Sequence, residues 1–228
     1  MNGPHIIRTC EPLHCCDEVW EAAYLRFETP EEEVAKFVKR LNSLGAAAWP
    51  RDAKIVDIFC GRGNGLIALQ RLGFTNLVGV DLSERLLQQF QGHGTLYVAD
   101  CRALPMESDS CDIVIVQGGL HHLPLLPDDL RKTLQEVRRV LRPGGRLVAV
   151  EPWLTPFLHF VHALCHVPLL RRAWKHLDAL ATMIDRERET YENWLNSPQS
   201  ILECMDRELR CEQRTFAFGK MNYVGVKS

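Results

Sequence analysis

Ile55-Val56-Asp57-Ile58-Phe59-Cys60-Gly61-Arg62-Gly63-Asn64-Gly65 decides how this chain folds. A β-branched run carries an acid, a glycine-rich turn begins four residues later, and a helical pattern follows. Glycines let the backbone come close to a ligand at such a strand-to-helix turn. A second apolar run, Leu77-Val78-Gly79-Val80-Asp81, ends in a second acid. Asp81 falls twenty residues after Gly61, the spacing at which an acid can bind a ribose diol. The chain is therefore expected to hold a nucleoside cofactor.

The glycine spacing bears on which nucleoside. The dinucleotide fingerprint needs a third glycine for close helix–strand packing, and Leu66 stands in its place. A dinucleotide also brings a pyrophosphate, which Asp57 would repel across a partly buried site. A ligand with no phosphate but with positive charge fits better, because Asp57 then becomes its partner. Arg62 argues the other way unless it points to solvent.

Three further segments keep the alternation going. Leu96-Tyr97-Val98-Ala99-Asp100-Cys101 is a strand ending in an acid. Cys111 to Gln117 is a strand running into Gly118-Gly119-Leu120-His121-His122, and Leu141 to Glu151 is a helix end, a turn and a fifth strand. With these segments in order, residues 50–151 resemble the class I S-adenosylmethionine (SAM) dependent methyltransferases, in the small-molecule, quinone-methyltransferase-like branch. The resemblance implies that Asp57 and the Gly61–Gly63 backbone hold the methionine moiety, with Gln117 beside its amino group. It implies that Asp81, followed by Leu82, takes the ribose hydroxyls, and that Asp100 and the Cys101 backbone meet the adenine. Cys60 departs from the small residue usual there. Phe59-Cys60-Gly61 is similar to nucleic-acid uracil and cytosine methyltransferases, but their proline-cysteine motif is absent, so Cys60 reads as a packing residue.

Alternating strands and helices predict an α/β, Rossmann-like, doubly wound sheet, mostly parallel. Seven strands are expected, the last two an antiparallel hairpin around Gly219-Lys220. Thr29-Pro30-Glu31-Glu32 starts a helix with a capping box and a first-turn proline, and Gly45 ends it. One domain is expected over residues 1–228. Its parts are an N-terminal arm and helix (1–50), a SAM-binding core (51–151), a helical substrate lid (152–207) and the hairpin (208–228). Residues 1–17 carry no usable pattern, and Trp20, Tyr24, Arg26 and Phe27 suggest a flap over the cofactor.

Composition excludes other classes. A net charge of −2 gives no electrostatic footprint for nucleic acid, and the short basic clusters read as solvated helix faces. Nine cysteines without a CxxC pair suit a reducing cytoplasm, and no leader pattern opens the chain. The apolar stretch from Leu147 to Leu170 is broken by Glu151, Pro152, Pro156 and Pro168, so no membrane span is expected.

Transfer from a sulfonium needs alignment above all, and a base only for a protonated acceptor. His121 and His122, at the rim after the fourth strand, are the candidates for a base or an acceptor-orienting group. Glu151, at the end of the fifth, is the third catalytic candidate. His159, His162 and His166 share one helical face. Their helix is otherwise apolar, so they read as pocket lining, and no metal site is expected there or at Cys10, Cys15 and Cys16. The expected activity is methyl transfer to an O, N or C nucleophile of a small, partly hydrophobic molecule. A SAM-binding partner protein without activity and a nicotinamide-dependent oxidoreductase remain as alternatives.

Overall fold

The computed structural model describes residues 5–12 and 18–228. Cys15 and Cys16 lie outside the described residues. Among the described residues, eight strands form one sheet in the order β1-β4-β3-β2-β5-β6-β8-β7. They are β1 (Ile6–Arg8), β2 (Ile55–Ile58), β3 (Leu77–Asp81), β4 (Thr95–Val98), β5 (Cys111–Gln117), β6 (Leu141–Pro152), β7 (Arg210–Ala217) and β8 (Lys220–Val226). The first six run parallel, and β8 pairs antiparallel with both β6 and β7. The sheet thus has one strand more than the seven expected. The addition, β1, pairs with β4 through Ile6, Ile7 and Arg8. Three residues are too few for an alternation to be read.

Side-chain alternation sends each strand to two cores. Val56, Ile58, Val78, Val80, Val114 and Val116 face α5 (Asp128–Val140), α9 (Arg188–Leu195) and α10 (Pro198–Glu208). Ile55, Leu77, Leu96, Ile113 and Ile115 face α2 (Pro30–Ser43) and α3 (Asn64–Arg71). Thr29 caps α2 as its sequence demands: its hydroxyl accepts from Glu32 N, and Glu32 accepts from Thr29 N. A short α4 (Glu84–Leu87) follows β3, capped by Ser83.

The segment after β6 is helical throughout, as expected, but it divides. α6 (Pro156–Cys165), α7 (Pro168–Ala173) and α8 (Lys175–Arg186) make a small cluster of their own around Cys165, Leu177 and Ala181. Trp194 and Met205, of α9 and α10, are instead buried in the main core. α6 is tied to the hairpin by Thr155, whose hydroxyl accepts from Leu158 N and from Gly219 N at 3.2 and 3.0 Å. α1 (Glu18–Phe27) packs along α8. Among the described residues, no helix is long and apolar enough to cross a membrane.

Candidate active site

The chain leaves β2 for β3 and β4, then crosses back to β5 on the other side of β2. Open α/β sheets bind ligands outside the carboxyl ends of their strands at such a reversal. Asp57, Asp81, Gln117 and Glu151 lie on β2, β3, β5 and β6 near those ends.

Asp57 is 3% exposed. It reaches the start of α3 because Gly65 leaves room: a Cβ there would stand 2.3 Å from Asp57 Oδ2. Burial, then the charges of Asp81 and Glu33, push the Asp57 carboxyl well above its usual range. Asp81 Oδ2 accepts from Gly61 N and Oδ1 from Ser83 N, both at 2.8 Å. Burial raises Asp81 too, against the backbone donors of Ser83, Gly61 and Leu82. Gly61 and Gly63 are left-handed, with φ +54° and +81°, a conformation that favours glycine. Phe59 is left-handed as well (φ +56°), and it packs against Gly119, joining the loops after β2 and β5.

Asp100 is engaged by Arg102, which donates from Nε, Nη2 and its backbone N; these bonds hold the carboxyl below its usual range. Arg102 continues to the buried Asp129 at 3.0 Å. Cys101 is buried, its thiol pushed up to about 12 by burial and its Sγ 3.5 Å from Thr133 Oγ1. Gln117 Oε1 accepts from Arg40 Nη1 at 3.1 Å, while its Nε2 is buried without a protein partner.

His121 and His122 occupy a single 3-10 turn, Leu120–His122, anchored by the buried Leu120. Glu151 lies beneath that turn with a fully buried side chain. Its Oε1 accepts from Gly119 N and Leu120 N at 2.9 Å, and its Oε2 is 2.8 Å from His121 Nδ1. Burial opposes charge on Glu151, but His121 and these backbone donors outweigh it and keep its pKa low. Burial likewise opposes charge on His121, yet Glu151 and Glu187 outweigh it and push the imidazole up to about 9. Burial and the neighbouring His121 bring His122 down to about 4. Glu151 is thus engaged on both oxygens and sets the orientation of His121.

Three contributors went unread in the sequence. Glu33 and Arg40 share a face of α2 with Phe37; Glu33 accepts from Asn64 Nδ2 at 2.6 Å and from the Tyr24 hydroxyl. An acid and an arginine seven apart around a buried aromatic was the signal that could have found them. Glu187, at the junction of α8 and α9, faces both histidines, and no local pattern marks it. α1 closes over the glycine loop: Glu21 accepts from Arg85 at 2.6 Å and Arg62 at 3.5 Å, and the Arg62 guanidinium lies over the Tyr24 ring. His159, His162 and His166 line a cavity of about 290 Å³ between α6, α8 and α9. Tyr191 lines it as well, accepts or donates at 3.1 Å to His162 Nε2, and meets His121 edge-on.

Residues 56–149 match the family model described as a methyltransferase domain. The chain is 30% identical over 123 residues to the ubiquinone/menaquinone biosynthesis C-methyltransferase UbiE of Geobacter sulfurreducens, covering 49% of this chain and 46% of that one. It is 36% identical over 106 residues to the demethylmenaquinone methyltransferase of Staphylococcus aureus strain MRSA252, covering 43% and 42%. The match spans less than half the length of these curated relatives. The PH0226 protein of Pyrococcus horikoshii shares the fold over 93% of this chain and 100% of its own, with a TM-score of 0.69 at 19% identity. So does a SAM-dependent methyltransferase of Aquifex aeolicus over 92% and 97%, at 0.57 and 15%. Residues 56–149 are thus similar to a methyltransferase domain, set in a fold that nearly the whole chain shares with these solved structures.

Proposed function

We propose that this chain transfers a methyl group from SAM to an O, N or C nucleophile of a small, partly hydrophobic molecule. The observation that carries the reading is the buried Asp57 carboxyl, lying in the field of Asp81 and Glu33 where the sheet reverses. A ligand bearing an ammonium and a sulfonium relieves that arrangement, whereas a diphosphate would aggravate it. The donor set fits SAM in other respects. Gln117 Nε2 is a buried donor suited to a carboxylate, and Arg40 beside it adds positive charge. Both Asp81 oxygens accept backbone N–H groups, from Gly61 and Ser83 among them, and a carboxylate's further lone pairs leave acceptor capacity for a diol.

Accordingly, Asp57, Glu33, Gln117 and the Gly61–Gly63 backbone hold the methionine end. Asp81, with Leu82 following, binds the ribose, and Asp100 and the Cys101 backbone border the adenine. When bound, SAM supplies an electrophilic methyl carbon on its sulfonium. His121 and His122 orient the acceptor, and Glu151 is the positioning residue that fixes His121. Tyr191 links His121 to the adjoining cavity, whose lining mixes Leu154, Ile184 and Leu195 with histidines and charged groups. The quinone-methyltransferase names of the relatives support the same class of acceptor. The described cysteines are all unpaired, which supports a reducing, cytoplasmic compartment.

Calorimetric titration with S-adenosylhomocysteine, and separately with NADH, tests the cofactor. Binding of the first and not the second is expected; the reverse would return the oxidoreductase reading. Radiolabelled methyl transfer from SAM to a panel of phenols and quinols of graded chain length tests the reaction. Tight cofactor binding with no turnover on a broad panel would instead favour the partner-protein reading.

A further inference from the structure

His121, His122 and Glu187 bring their ligating atoms together from two elements far apart in the chain. His121 Nε2 is 3.8 Å from Glu187 Oε2, and His122 Nδ1 is 4.0 Å from Glu187 Oε1. One ligating atom from each residue lies within 4.8 Å of the others, and among the described residues this is the one such cluster. We propose that these three side chains bind a divalent transition-metal ion of the zinc class.

The chemistry behind the cluster is that of a ligand set. A metal-bound histidine characteristically donates its other ring N–H to a carboxylate, which fixes the tautomer and raises ligand basicity. His121 does so: Nδ1 faces Glu151 Oε2 at 2.8 Å, leaving Nε2 for the ion. Glu151 cannot turn away, because Gly119 N and Leu120 N occupy its other oxygen. Two carboxylates flank His121, so neutral imidazoles would leave a local charge of about −2, which a divalent cation balances.

The geometry needs a modest side-chain contraction. Zinc–ligand bonds of about 2.0–2.2 Å in a tetrahedron place neighbouring ligands about 3.3–3.5 Å apart. With one atom from each residue the separations lie within 4.8 Å, so the side chains close by about 1.5 Å at most onto a bound ion. Both sides of the cluster are firmly placed. The histidines share one turn, and α9 is anchored by Trp194, whose Nε1 donates to Pro152 O at 2.9 Å. Glu187 and His122 keep side-chain exposures of 18% and 37%, so an ion can enter. Three protein ligands leave at least one position open, as in catalytic rather than structural zinc sites. An oxygen of the acceptor could take it; that role, unlike the metal binding, rests on the methyltransferase reading.

The test is titration of the purified full chain with cobalt(II), followed in the visible, and with zinc(II) by calorimetry. One equivalent should bind with the ligand-field bands of a four- or five-coordinate nitrogen–oxygen site and without sulfur-to-cobalt charge transfer. Glu187→Gln should weaken binding tenfold or more, and His122→Gln should remove the bands, with far-ultraviolet circular dichroism unchanged. Should either variant fail to fold, X-ray absorption of the zinc-loaded wild-type chain decides: a shell of nitrogen and oxygen with two imidazoles supports the site. No stoichiometric binding, a sulfur shell from the free cysteines, or binding indifferent to Glu187→Gln would overturn it. S-adenosylhomocysteine titration of the same sample separates the two readings, since cofactor binding without metal binding would end only this one.

Discussion

Burial, Asp81 and Glu33 together hold the Asp57 carboxyl well above its usual range, and this has consequences for stability and for binding. The unfolded chain has an aspartate near its reference value of about 3.9. The folded chain binds that proton more tightly. Its stability therefore falls as pH rises from the unfolded value through the raised folded one. Asp57→Asn removes the buried charge, so thermal melts should show a variant more stable than wild type at neutral pH, the gain shrinking as pH falls. A variant that melts lower at neutral pH would contradict the argument. A ligand that brings its ammonium to Asp57 reverses the preference and expels the proton. Binding of S-adenosylhomocysteine should release protons near the raised pKa, seen as a buffer-dependent heat in calorimetry, and Asp57→Asn should abolish that dependence and weaken affinity. Asp81 makes a second, simpler case. Asp81→Ala deletes a charge-assisted ribose contact worth roughly 1.5–3 kcal/mol, so affinity should fall about tenfold or more. Unchanged affinity in the same titration would remove Asp81 from the ribose.

The turn after β2 and the turn after β5 are held together by two residues that break ordinary preferences. A Cβ on Gly119 would stand 2.4 Å from Phe59 Cβ and 2.5 Å from its Cγ, atoms too near the backbone to swing away. Gly119→Ala should therefore cost about 1–3 kcal/mol by overpacking, measured by denaturant unfolding. Phe59→Gly in the same chain should return much of it, since glycine is at ease at φ +56° and clears the space. Independent, additive losses would show that the two loops do not touch as described. Elements of this kind mark the limit of what sequence discloses. Thr29 and Glu32 announce the start of α2 because capping is a local bond between near neighbours. Leu130, Leu134, Val137 and Leu141 announce α5, and Gly219 the hairpin, because period and turn chemistry are local too. The acids at the strand ends were legible for the same reason, since each follows its own apolar run. Phe59 was not, because its strained backbone is stabilised by a glycine sixty residues away. Nor was Glu187, whose meeting with His121 depends on how α9 docks on the sheet.

Over the whole molecule, α1 joins the glycine loop to the helices after β6. Its Glu21 receives Arg62 of the loop, Arg85 of α4 and Gln89 just beyond it. Farther along, Arg26 pairs with Asp178 of α8 at 3.4 Å, and Phe27 O accepts from His176 at 3.0 Å. α1 thus covers one side of the proposed cofactor crevice; it packs along α8 with Ala23 buried, and polar contacts tie its rim to the glycine loop. Ion pairs that reach solvent contribute only about 0–1 kcal/mol each, so such a fastening can open without unfolding the domain. Glu21→Gln should accordingly leave the melting temperature nearly unchanged. It should speed dissociation of S-adenosylhomocysteine several-fold, read by stopped-flow using the fluorescence of Trp20, which stacks on Tyr24 at 5.1 Å. Salt should accelerate dissociation from the wild type and have little further effect on the variant, because it screens the same charges. Equal dissociation rates in the two proteins would show that α1 is a static part of the wall and that the ligand leaves by another side.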